Sequence, residues 1–334
     1  MDVFKGFVYE HKPQISHLIT DHPTGFRIVY NRKSYGSEPW MQRYNFPDRG
    51  LTFLYLDYND PRLGKTLAIL PHFNFYLRKK REAKGQPQFK VGFGAGYTTE
   101  KYNRVTNNQN NVISTDLTGG VLLQFGYEYE LDKRWHLNTI ASLTHFSNGA
   151  IRKPNSGINV FAAHAGISYM FQYQERTYER TEEKKLEHKP IGVSAILIGG
   201  SHESLKIGAG SKPFFVLTGI VDKKLNYKSR LGAGVELFYS ESLKEEIKYD
   251  RSVPDDTDFK RVGLVLSHEW MINEFSIMSQ AGYYIYDPYH AFQKIYLRLK
   301  LRRYFGEHLF GSIGVKSHSA KAEAMEFAIG YRIK

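Results

Sequence analysis

The chain has 334 residues, a net charge of +12 and no cysteine, which excludes disulfides and thiolate metal sites. It contains no apolar run of about 18 residues or more, so a transmembrane helix is excluded as well. A mean hydropathy of −0.47 still allows a membrane barrel, because strands that alternate apolar and polar residues average their hydropathy away.

The aromatic content of 15%, with 24 Tyr and 22 Phe, suits the interfacial girdles of such a barrel. The basic excess comes without any nucleic-acid motif. It therefore points to an anionic membrane surface, and no nucleic-acid partner is expected. Met1-Asp2-Val3-Phe4 has neither the basic nor the apolar region of a signal peptide, so an exported chain would be expected to have this as its mature form.

Strand signals begin at once and recur to the end. In the first half, candidates centre near residues 6, 28, 54, 72, 93, 124, 140 and 165. Around 93, Val91, Phe93, Ala95 and Tyr97 alternate with Gly92, Gly94 and Gly96. Around 124, Val121, Leu123, Phe125, Tyr127 and Tyr129 alternate with Gln124, Gly126 and Glu128. Period-2 alternation places each set on its own face of a strand. The segment Gln174 to Lys189 then breaks the rhythm with a charged, non-alternating run that reads as solvated.

Eight further candidates follow, near 196, 217, 235, 265, 280, 297, 312 and 328. The clearest has Ile295, Leu297, Leu299 and Leu301 on one face and Lys294, Tyr296, Arg298, Lys300 and Arg302 on the other. The fold class is all-β, an antiparallel transmembrane β-barrel. Inward basic residues favour one roomy, hydrated barrel of 14–16 strands, while the inward glycines near 93 favour two narrow eight-stranded barrels in series. The single barrel is the preferred expectation, since tandem barrels in one chain are rare. The chain divides at residues 1–173, 174–189 and 190–334.

The strand from Trp135 carries the most chemistry. Its outward face is Trp135, Leu137, Thr139, Ala141 and Leu143, and the same parity reaches His145 and Ser147. The next strand puts Asn159 on the face of Phe161, Ala163, Ala165, Ile167 and Tyr169. Three polar groups thus top two apolar stripes on the lipid side. His and Ser at i, i+2 lie ~7 Å apart at Cβ, close enough for an imidazole to activate a hydroxyl. An amide such as Asn159 can orient that imidazole. The carboxylates of Tyr239 to Asp258 lack the spacing of a calcium loop and read as a solvated loop. His202, His268, His308 and His318 show no ligand spacing. No metal and no cofactor are expected.

The stretch His145-Phe146-Ser147-Asn148-Gly149-Ala150-Ile151, with Pro154-Asn155, Gly157 and Asn159, resembles the lipid A 3-O-deacylase (PagL-type) family, in its longer acyloxyacyl-hydrolase-like branch. His22 to Phe26, Phe46-Pro47 with Gly50, Leu63 to Lys65, Gly94 to Tyr97 and Asn107 to Ser114 are similar to that branch too. The resemblance covers residues 1–173, and none is visible beyond about 175.

It implies an outer-membrane esterase that removes an ester-linked acyl chain from lipid A. Ser147 would be the nucleophile, His145 the base, and Asn155 an oxyanion donor with backbone N–H groups of the Asn148, Gly149 to Ile151 turn. Asn159 stands where the family has an acidic residue. Arg152 and Lys153 would meet the phosphates of lipopolysaccharide. Two rival readings are a non-catalytic barrel in an assembly with other outer-membrane proteins, and a porin or transporter.

Overall fold

The computed structural model describes residues 1–173, 177–180, 191–204, 206–319 and 321–333. Among them the chain forms sixteen antiparallel strands, closed into two separate eight-stranded barrels. Each of the sixteen centres read from the sequence lies inside a strand.

The first barrel runs β1 (Asp2–Val8), β2 (Thr24–Arg32), β3 (Asp48–Asp57), β4 (Lys65–Tyr76), β5 (Gly85–Thr98), β6 (Leu117–Glu130), β7 (Trp135–Ser147) and β8 (Ile158–Tyr169). It closes where β1 pairs with β8, Val3 opposite Ala165 and Phe7 opposite Phe161. The second runs β9 (Ile191–Glu203), β10 (Ser211–Lys224), β11 (Ser229–Ser240), β12 (Arg261–Ile272), β13 (Phe275–Tyr286), β14 (Ile295–Phe305), β15 (Leu309–His318) and β16 (Lys321–Arg332). It closes where β16 pairs with β9, Phe327 opposite Gly199.

The single barrel expected from the sequence is therefore corrected to two. The inward glycines were the better guide. A Cβ on Gly96 or on Gly120 would stand 2.9 Å from the Phe146 ring, so the missing side chains make room for that phenyl in a narrow interior. The roomy, hydrated lumen inferred from Arg298, Lys300 and Arg302 is corrected too, and Lys294 lies exposed, just outside β14.

Arg298 pairs with Glu236 and, at 2.8 Å, with Glu326. Lys300 lies 3.4 Å from Glu326 and Arg302 lies 3.2 Å from Glu269. All of these side chains are buried. The basic faces do point inward, but carboxylates from distant strands fill the space between them. Buried charge persists only where it is paired in this way.

Outward positions on both barrels are greasy. Ile69, Phe125 and Leu137 are exposed on the first, and Leu217, Leu266 and Ile329 on the second. Each such side chain would gain roughly 1.5–3 kcal/mol by leaving water. Dozens together fit a hydrocarbon surround. No helix among the described residues is long and apolar enough to cross a membrane.

Part of the acidic stretch read as a loop is instead a short helix, α1 (Glu241–Ile247), whose Ser240 side chain accepts from the Leu243 N–H. Of the charged segment 174–189, only 177–180 are described, without regular secondary structure, and the remainder lies outside the described residues.

Candidate active site

In the first barrel the loops following β1, β3, β5 and β7 gather at one end. Ile15, Leu18, Tyr58, Leu63, Val112 and Ile113 bury there against Phe146 and Ile158. Asn110, fully buried, organises this cap. Its amide donates to the Arg62 carbonyl at 2.8 Å and accepts from the N–H groups of Val112 and Ile113 at 3.3 and 3.2 Å. The carbonyls of Asn111 and Val112 then accept from Ser156 and Gly157 at 3.1 and 3.0 Å. The β7–β8 turn is thereby tied to the cap.

Asp60 belongs to the same cap. It accepts from Thr20 at 2.7 Å and from Arg62 at 2.5 and 3.0 Å. The Arg62 hydrogen bonds hold its carboxyl down to about 2. Because the folded value is depressed, this contribution is complete above the unfolded value near ~3.9 and is lost as pH falls through about 2. Amide exchange in residues 58–64 and 107–113 is expected to be slow at pH 5 and clearly faster, after correction for intrinsic rates, at pH 2. Equal protection at both would show that Asp60 does not hold the cap.

On β7 the expected parity holds. Trp135, Leu137, Thr139 and Ala141 are exposed, His136, Ser142 and Thr144 are buried, and His145 and Ser147 are half-buried on the outward side. His145 lies directly opposite Asn159 in the β7–β8 register. Its Nδ1 is 2.7 Å from the Asn159 Oδ1. An amide oxygen can only accept, so Nδ1 carries the hydrogen and Nε2 keeps its lone pair.

Gly157 brings His145 and Ser147 to one place. Its φ is +71°, and a Cβ there would lie 2.8 Å from His145 Cε1 and 3.3 Å from Ser147 Cβ. Only glycine suits this position, for both its backbone and its space. Gly157→Ala is expected to slow the site's reaction about tenfold with the barrel still folded, since about 1–2 kcal/mol of backbone strain joins a displaced imidazole. An unchanged turnover rate in a folded variant would count against this packing.

Asn155 accepts the Asn148 N–H at 3.1 Å through Oδ1. That fixes the amide so that its NH2 faces away from Asn148, with no partner among the described residues. The Asn148 N–H, expected as part of an oxyanion hole, is therefore engaged, and the open donor is the Asn155 side chain. Asn148 itself is buried and donates to Ser114 Oγ at 3.0 Å.

Gly149 and Ala150 have positive φ, 60° and 65°. Gly149 to Lys153 are counted with the second compact unit. Within it the Lys153 N–H donates to Glu203 at 2.5 Å and its ammonium to the Ser204 carbonyl at 2.7 Å. Arg152 is exposed. The sequence reading gave no role to Gly157, Asn110 or Ser114. The run of amides from Asn107 to Asn111 was the visible signal for the cap.

An eight-stranded antiparallel barrel with a greasy wall, bearing a hydroxyl, an imidazole and two amides at one hairpin end, sets the class of the first unit. The chain belongs to the lipid A 3-O-deacylase (PagL) family. Residues 24–168 match the family described as lipid A 3-O-deacylase (PagL), and residues 191–334 match the acyloxyacyl hydrolase C-terminal domain. The second match extends the likeness past residue 175, where no resemblance is visible in the sequence alone.

No curated protein matches the chain. Solved structures that do match include a porin mutant of Rh. blastica (7% identity, 99% of this chain and 97% of that one, TM-score 0.20). Others are the P. putida toluene transporter TodX (8%, 99% and 89%, 0.22) and Acinetobacter baumannii OccAB3 (9%, 99% and 98%, 0.23).

Proposed function

We propose that the chain is an outer-membrane esterase that hydrolyses an ester-linked acyl chain of lipid A. Ser147 Oγ attacks the acyl carbonyl while His145 Nε2 takes its proton. Asn159 holds the imidazole in the tautomer that makes Nε2 the base. The Asn155 NH2 donates to the oxygen that becomes negative in the tetrahedral intermediate. As that intermediate collapses, His145 returns the proton to the departing sugar hydroxyl. Water, activated by the same nitrogen, then releases the fatty acid from Ser147.

The observation that carries this reading is the His145–Asn159 contact beside Ser147 at the end of a lipid-facing strand pair. The apolar stripes of β7 and β8 suit an acyl chain. Mass spectrometry of lipid A from cells with and without the protein is the test. The expected result is lipid A lighter by one ester-linked acyl group when the protein is present. An acyl pattern that never changes would overturn the proposal.

A further inference from the structure

The first barrel holds a cavity of about 1170 Å³ at the end opposite the candidate active site, where β1 and β7 begin and β2 and β8 finish. Its charged lining is Arg32, Lys33, Arg49 and Lys90 against Asp2, Glu38 and Glu128, four basic residues to three acidic. The acids are already engaged. Asp2 accepts from Arg27 at 2.8 and 3.0 Å and lies 2.8 Å from His164. Glu128 pairs with Lys33 at 3.5 Å, and Glu38 accepts from the Trp40 indole at 3.1 Å.

Lys90 is a buried lining cation with no carboxylate of the described residues within ion-pair distance. It is 4% exposed, points inward from β5 and makes no hydrogen bond or ion pair among the described residues. Asp2, Asp48 and Glu128 attract it only from beyond ion-pair distance, and taking an ammonium out of bulk water without a directly bonded partner is unfavourable. Directly opposite Lys90 in the β5–β6 register is Gln124, 3% exposed. Arg27 donates to its Oε1 at 2.9 Å. That contact turns the Gln124 NH2 the other way, with no partner among the described residues. Both residues line the cavity. Facing residues on paired strands stand ~5 Å apart at Cβ, so both side chains enter the same part of the lumen.

We infer that this lumen is a binding site for a small oxyanion, a phosphate or a carboxylate group, held between Lys90 and Gln124. The anion would accept from both donors and place a negative charge in direct contact with the ammonium. The site is separate from the esterase reading and stands whether or not that reading holds.

The test is isothermal titration of the purified full chain in detergent with inorganic phosphate and, separately, with acetate, at constant ionic strength. Saturable binding at one site is expected. Lys90→Met should weaken it at least tenfold, Gln124→Leu should weaken it less, and Lys90→Arg should retain it. Saturation by phosphate alone or by acetate alone would tell which oxyanion class the lumen prefers. Heat-modifiable gel mobility reports whether each variant is folded. Should Lys90→Met fail to fold, the wild-type titration and Gln124→Leu decide the matter. Absence of saturable binding, or binding unchanged in the folded variants, would overturn the inference and leave water as the only occupant.

Discussion

Ser147→Ala is expected to abolish lipid A deacylation, with the rate falling by about a thousandfold or more while both barrels remain folded. Ser147 is the last residue of β7 and is half-buried. Its ladder partner is Gly119, and alanine keeps that backbone pairing. The substitution removes one oxygen and leaves the strand backbone in place. A loss of activity can then be read as loss of the nucleophile. Purified protein assayed on lipid A in mixed micelles, with product detected by mass spectrometry, gives the measurement. A Ser147→Ala protein that deacylates like wild type would remove Ser147 from the mechanism and leave the His145–Asn159 pair as ordinary strand-end packing.

Asn159→Asp is expected to raise the turnover rate by about ten- to a hundredfold. The amide already does half of what a carboxylate would do, since its oxygen sits 2.7 Å from His145 Nδ1 and fixes the tautomer. It cannot offset the positive charge that appears on the ring when Nε2 takes the serine proton. Aspartate has the same shape and adds that charge. Two unit charges ~4 Å apart interact by about 4 kcal/mol at an effective dielectric near 20. Partial burial of the new carboxylate cancels some of this. A remainder of about 1.4–2.7 kcal/mol corresponds to the stated gain. The opposite change, Asn159→Ala, should slow the reaction by releasing the ring. An Asn159→Asp protein no faster than wild type would show that the imidazolium charge is met by another group.

The sequence revealed orientation better than closure. Parity alone set Trp135, Leu137, Thr139, Ala141, Leu143, His145 and Ser147 on the outward face and Arg298, Lys300 and Arg302 on the inward one, because a strand alternates with a strict period of two. What parity cannot express is partnership. Arg298 meets Glu236 from 62 positions away, so its charge looked uncompensated along the chain. The pairing of β1 with β8 is equally non-local. The candidate site was legible as residue types at a spacing. The direction of the Asn159 and Asn155 amides was not, since it depends on which neighbour each oxygen faces. Gly157 stood out only as part of the family motif, and its role, leaving space beside the imidazole, needs three dimensions.

Each eight-stranded sheet closes on itself, β1 on β8 and β9 on β16, so neither half leaves an edge of unmet amides for the other to cover. In hydrocarbon such an edge would be prohibitive. Each sheet therefore meets its own strands' backbone hydrogen-bonding demand, and a strand lost from one barrel opens an edge in that barrel alone.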